Sequence, residues 1–179
     1  SKERAGVEYI SAVKQVLMGL EEETGSSYAY LSGDASFQSQ VANKQAKIDK
    51  DFEALVTTDL KLTKILDTGN RVNDLRSKWQ EIKSRGSNVK PAENLDMHTR
   101  LIASSLSLIL HVADTSTLIL DPEIESYYMM ITITTTIPSL VNSMAEARAL
   151  GTATVKSRSV TSEDKLKLAV LANKIKSAY

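Results

Sequence analysis

LILDPEIESYYMMITITTTIPSLVNSMAEARALG, residues Leu118 to Gly151, holds the one segment that local propensity would make a strand. Ile131 to Ile137 is isoleucine and threonine throughout, a β-branched run suited to a pleated sheet. Pro138 follows it, and a proline normally ends a helix ahead of itself. The flanking residues argue for a helix. Asp121 offers a capping side chain, and Pro122 suits the first helical position, where a missing N–H costs nothing. Glu123 and Glu125 place negative charge at the favourable end of the helix dipole. Tyr127, Ile131, Thr134, Pro138, Val141 and Ala145 then continue one seam in steps of three and four. The expectation is a helix kinked at Pro138 and ended by Gly151.

The chain upstream repeats the helical period. Val7, Ile10, Val13, Leu17, Leu20, Thr24 and Leu31 mark one face of a helix over Glu3–Leu31. Within it, Glu21-Glu22-Glu23 reads as a solvated face. Ser32-Gly33-Asp34 supplies turn chemistry, and Val41, Gln45, Ile48, Phe52, Leu55, Asp59, Leu62 and Leu66 form a second seam. Asp67-Thr68-Gly69-Asn70 breaks or bends that helix before Val72, Leu75, Trp79 and Ile82 restate the spacing. Arg85-Gly86 ends this piece, and Pro91 blocks its continuation. Asn94 is a plausible cap for a third long helix, Leu95 to Leu120.

The centre of that helix, LIASSLSLILHVADTSTLIL, is the nearest approach to a membrane span. His111, Asp114 and recurrent Ser and Thr argue instead for a helix buried among others, since a span needs ~20 predominantly apolar residues. Downstream of Gly151, Thr152–Ser159 is polar and turn-like, and a last helix starts at Thr161 or Ser162 with Glu163 and Asp164. It carries Leu168, Leu171 and Ile175. The fold class is all-α: an elongated up-and-down antiparallel bundle of five or six helices forming one domain over 1–179, with two stacked four-helix modules as the variant.

Composition narrows the function. Lys plus Arg and Asp plus Glu number 22 each in 179 residues, so the formal net charge is zero. Nucleic-acid partners, which select basic domains, are disfavoured. The chain has no cysteine, which removes thiol chemistry and disulfides. It starts without Met, nothing in it resembles a signal peptide, and the expectation is a segment of something longer. His98 and His111 lie on nearly opposite sides of one helix, and no Glu-x-x-His pair accompanies them. No glycine-rich phosphate loop and no Gly-x-Ser-x-Gly elbow occurs. No metal, cofactor or catalytic residue is expected.

The polar residues of the buried helices are more informative. Arg100, His111, Asp114, Tyr127, Tyr128 and Arg148 would be costly to bury alone. They either pair with one another or line a cavity for an anionic or aromatic ligand. Trp79 sits on its apolar seam as core or as pocket wall. The ligand-binding candidates are Arg100, Tyr127, Tyr128, Trp79, His111 and Arg148. Hydrogen-bonded, partly buried side chains are the expectation for both histidines.

Leu120, Asp121, Pro122, Ser126, Tyr127, Tyr128, Met129, Met130, Pro138, Leu140, Arg148 and Gly151 together resemble a segment of the all-helical extracytoplasmic sensor domains of bacterial chemoreceptors and sensor histidine kinases. The likeness extends back through His98, Leu101, Ile102, Asp114 and Ser116. At Thr24-Gly25 many such sequences carry Arg-Gly, so Thr24 departs from the pattern. The resemblance implies a periplasmic input module set between two transmembrane helices, with membrane contact only through those flanking helices. It implies a homodimer in the full receptor, a kinase more than a chemoreceptor output, and no catalysis by this segment. The implied stimulus is a small molecule, such as an organic or aromatic acid, or alternatively a periplasmic protein. A cytoplasmic helical interaction or phosphotransfer module is the remaining alternative.

Overall fold

The structure is a computed structural model that describes residues 1–118 and 137–176. Within these it is all-α: α1 Lys2–Leu31, α2 Gln38–Leu66, α3 Arg71–Arg85, α4 Pro91–Thr115, α5 Ile137–Ser157 and α6 Ser162–Lys176, with a 3₁₀ turn at Ala35–Phe37. The expected bundle is present. The start at Asp121-Pro122, the β-branched run and the surroundings of Tyr127 and Tyr128 lie outside the described residues. So do the residues needed to judge a kink at Pro138.

α1 is the axis. At 30 residues it reaches ~45 Å, and α2, α4 and α5 all lie against it. Its burial is therefore wider than one seam. Tyr9, Val13, Val16 and Leu20 are fully enclosed, whereas Val7, expected in the seam, is 58% exposed. α2 and α4 run antiparallel to α1. Tyr9 Oη donates to Asp59 Oδ1 at 2.5 Å, and Gln45 reaches Glu23 at the other end. Likewise His98 meets Glu23, while Ser116 lies beside Gly6. α5 runs parallel to α1: Arg148 reaches the Glu21 carbonyl, and Lys156 pairs with Asp34 at 3.0 Å beyond the end of α1. α6 turns back after α5 through Arg158–Thr161. One core, from Ala5 through Phe52, Leu55, Trp79 and Ile109 to Leu118, joins the first four helices.

The helix boundaries follow local chemistry, in three places against expectation. Asp67 (φ +50°) and Gly69 (φ +55°) take left-handed conformations that end α2, so the segment is a break. Gly86 ends α3 at φ +49°. α4 starts at Pro91, ahead of the cap expected at Asn94, because Pro91 supplies the favoured first position. Asn94 is then an interior residue, and buried. At the other end α4 stops at Thr115, short of the expected Leu120, with Thr117 at φ +65°. Gly151 does not stop α5, which runs on to Ser157, so the polar stretch Thr152–Ser157 is helix. Helix packing there outweighs the weak glycine penalty. The start of α6 is a capping box. Thr161 Oγ1 accepts from the Asp164 N–H at 3.1 Å, and Asp164 Oδ2 accepts from the Thr161 N–H at 3.0 Å.

Two glycines of opposite kind give a test of this packing. A Cβ on Gly6 would come within 2.5 Å of the Ser116 Cβ and 2.9 Å of Leu118. Gly6→Ala should therefore lose ~1–3 kcal/mol through overpacking, despite alanine's better helix propensity. Gly151 has nothing within 4 Å of the added methyl, so Gly151→Ala should gain ~0.5–1 kcal/mol. Urea denaturation of the two variants measures both. A loss at Gly151 would place a true helix stop there.

No helix of the described residues is long and apolar enough to cross a membrane.

Candidate functional site

Glu21-Glu22-Glu23 was expected to lie on a solvated face, and only Glu22 does. The structure corrects this. Glu21 and Glu23 are 3% and 0% exposed, and Thr24, Ser26 and Ser27 are buried with them. At this level α1 is flanked by α2, α4 and α5, so little of its circumference is left for water. The small residues Gly25, Ser26 and Ser27 permit that close approach. They were the signal available in the sequence, together with the position of Glu23 three residues after Leu20.

Buried polar groups require partners, and most of these have them. Thr24 Oγ1 donates to the Leu20 carbonyl at 2.6 Å. Lys44 Nζ, from α2, donates to the Glu22 carbonyl at 3.0 Å and to Ser26 Oγ at 2.8 Å. Glu23 Oε1 accepts from Gln45 Nε2 at 3.0 Å, and its Oε2 is bonded to His98 Nε2. His98 Nδ1 lies 2.9 Å from the Asn94 carbonyl. A carbonyl only accepts, so Nδ1 carries a proton. A carboxylate also only accepts, so Nε2 carries one as well when Glu23 is ionised. The pair is then an imidazolium and a carboxylate with no exposure to solvent. Burial opposes the charge on His98, but the Glu23 charge, its hydrogen bond and the Asn94 carbonyl outweigh it and raise the histidine's pKa.

Glu21 faces the other way, toward α5, and its Oε1 has no hydrogen-bond partner. Burial, opposed by Arg148 and reinforced by Glu22, pushes its carboxyl up to about 8. Arg148 Nη2 sits 3.4 Å from the Glu21 carbonyl oxygen, and its guanidinium lies against Gly25. Among the described residues no carboxylate stands within ion-pair distance of Arg148. Met18, Glu22, Val141, Met144 and Ala145 complete a groove of about 400 Å³ between α1 and α5.

A carboxyl whose folded pKa is raised contributes stability that is fully present below its unfolded value and lost as pH rises through the folded value. For Glu21 that window runs from ~4.3 to about 8. Glu21→Gln should accordingly raise stability at pH 8 by ~1–3 kcal/mol and change little at pH 4. Denaturation midpoints at the two pH values check this. Equal shifts at both would show that Glu21 is not the titrating group.

The other candidates are dispersed. Trp79 is fully buried core, its Nε1 donating to Asp49 Oδ1 at 2.8 Å. Arg100, expected to be buried, is 69% exposed and pairs within its own helix with Asp96 at 2.6 Å. It borders a depression of about 240 Å³ between α3 and α4 with Lys78, Glu81 and Glu93. His111 is half-buried near the opposite pole, where Nε2 donates to the Asp67 carbonyl at 2.7 Å. Asp114, expected inside, is exposed. Arg148 is exposed on a helix whose Ala149 and Leu150 are core, and its guanidinium lies back against α1. Solvent on the outer side of α4 and α5 explains these corrections: neither helix is enclosed as α1 is. Tyr127 and Tyr128 lie outside the described residues. The four described candidates therefore form no single site, and of them Arg148 alone joins the buried band of α1. Among the described residues no cluster of three or more potential metal ligands occurs.

Comparisons with protein-family models, curated proteins and solved structures found no match to this chain. The functional reading therefore rests on residues and geometry. A buried ion pair locks α1 to α4 on one side of the band. On the other, a carboxyl and a guanidinium left incompletely paired by the described residues face a groove.

Proposed function

We propose that this chain is the extracytoplasmic sensory input domain of a bacterial transmembrane signalling receptor. We take a sensor histidine kinase as the more fitting context than a chemoreceptor. In this reading the domain detects a small molecule, catalyses nothing itself, and works as a homodimer in the full receptor. The observation that supports it most is topological. α5 is parallel to α1, and α6 is antiparallel to α5. α1 therefore begins, and α6 ends, toward the same pole of the bundle, as an input module hung from one membrane surface requires. The residue pattern from Leu120 to Gly151 supports the same reading.

The mechanism follows from that layout. α5 leads directly into α6, so a ligand seated between α1 and α5 bears on both ends of the domain. Drawing the two helices together, or tilting one along the other, becomes a piston or tilt of α6 relative to α1. A ligand drives that displacement only by its differential affinity for the two arrangements.

Thermal-shift screening of residues 1–179 against organic acids, aromatic acids and amines tests the proposal. At a hundredfold excess over Kd, a ligand of the native state adds ~2.7 kcal/mol of stability. At least one compound class should raise the melting temperature in this way. A flat response across the panel would count against small-molecule sensing.

A further inference from the structure

We infer that the groove between α1 and α5 is the binding site for a small monocarboxylate with an apolar body, held by Arg148 and Glu21. The inference takes the sensory reading as its setting, but the binding it asserts is a property of the chain alone. Four observations carry it. The Glu21 carboxyl is 3% exposed and lines the groove, yet its Oε1 has no hydrogen-bond partner. A buried polar atom of this kind costs stability unless something pairs with it. The guanidinium of Arg148, a fork shaped for carboxylates, lies at the same place with no described carboxylate in ion-pair distance. The remaining wall is Met18, Val141, Met144 and Ala145, with the exposed Glu22 also lining it, and the volume of about 400 Å³ falls within the range of small-ligand sites. Met18 and Met144 are each 52% exposed, and flexible thioethers adapt to apolar ligands of varied outline.

The charge state selects the ligand. With the Glu21 titration near 8, the carboxyl is neutral at pH 7 and donates a hydrogen bond. The neutral carboxyl carries no negative charge and sets an O–H donor beside the N–H donors of the guanidinium, with Glu22 on the exposed side of the groove. A ligand carboxylate satisfies both: one oxygen takes the guanidinium, the other accepts from the Glu21 O–H. An ammonium would meet repulsion from Arg148. A second carboxylate on the ligand would meet methionine and valine, with no donor to replace its water. The groups facing Glu21 are Arg148 from α5 and Glu22 on its own helix, with Lys44 of α2 held at the Glu22 carbonyl. The buried His98–Glu23 pair lies on the neighbouring face of α1.

The sign follows. The ligand anion requires the protonated carboxyl, so affinity is level below about pH 8 and falls above it, by about tenfold per unit when one proton is taken up. Calorimetric titration of the chain with benzoate and with hexanoate at pH 6.5 and 9.5 tests this. Hexylammonium, hexanol and succinate serve as the amine, neutral and dianion comparisons. Both monoacids should bind the wild type at pH 6.5 and weaken at pH 9.5. Arg148→Met, at an exposed position that does not threaten folding, should weaken them about tenfold or more. Glu21→Gln, whose amide still donates, should keep binding at pH 6.5 and remove the pH dependence.

Binding of the acids by Arg148→Met as by wild type would overturn the inference. So would preference for hexylammonium, failure of both acids to bind, or pH dependence that persists in Glu21→Gln. A stabilising ligand found in the thermal-shift panel but indifferent to both substitutions would end this assignment and leave the sensory reading standing.

Discussion

His98→Ala is expected to destabilise the bundle by ~3–5 kcal/mol, because it leaves the Glu23 carboxylate enclosed with no cation. Neither side chain of the pair is exposed to solvent. Gln45 donates to the other Glu23 oxygen but cannot neutralise it. Glu23→Ala should cost a similar amount by stranding the imidazolium. Replacing both together with leucine removes both charges at once and should recover most of the loss, since well-packed apolar residues substitute for buried ion pairs at little cost. The half-buried Gln45 is then free to turn its amide to water. Chemical denaturation of the two single variants and the double variant measures this. Additive losses in the double variant would show that the two side chains act independently.

The same pair fixes a pH response. A histidine whose folded pKa is raised contributes stability that is fully present below its unfolded value, ~6.5, and lost as pH rises through the folded value. The His98 pKa is raised. Stability should therefore decline above pH ~6.5 in Glu21→Gln, where the overlapping Glu21 titration is gone, and stay level when His98→Leu and Glu23→Leu are added. A bundle that weakens toward alkaline pH at its α1–α4 seam is a consequence of placing this pair in the core.

Most of the architecture was legible because helices announce themselves through period and punctuation. The seams of α2 and α3 map onto buried Ile48, Phe52, Leu55, Val72, Leu75, Trp79 and Ile82, and Gly86 and Thr161 mark ends where turn and cap chemistry placed them. What stayed hidden was tertiary. A glutamate triplet reads as a wet face unless one knows that three helices converge on it. Glu23 and His98 are 75 residues apart, so nothing in the local pattern pairs them. Arg100 and Asp114 failed for the converse reason. Their helix is apolar enough to look enclosed, but α4 keeps one side open, and both polar residues use it. Arg148 was legible as a candidate, though its partner Glu21 was not.

Trp79→Ala should cost ~3–5 kcal/mol, and its consequences show why this residue is a joint of the bundle. Its ring is fully buried. Its Nε1 donates to Asp49 of α2 at 2.8 Å, Lys83 holds the other Asp49 oxygen at 2.5 Å, and the ring meets His98 of α4 edge-on at 6.3 Å. One side chain of α3 thus connects the two helices beside it. Trp79→Phe keeps most of the volume and loses only the N–H, so about 1–2 kcal/mol is expected, Asp49 remaining paired with Lys83. The edge-on contact should appear as a coupling of ~0.5–1.5 kcal/mol between Trp79→Leu, which removes the aromatic ring, and His98→Ala. The chain has one tryptophan, so its fluorescence reports this joint alone. Unfolding should shift the emission strongly. A monocarboxylate bound in the α1–α5 groove, which Trp79 does not line, should raise the melting temperature with the folded-state emission unchanged. A large emission change on binding would move the ligand into the core beside Trp79 and away from Arg148.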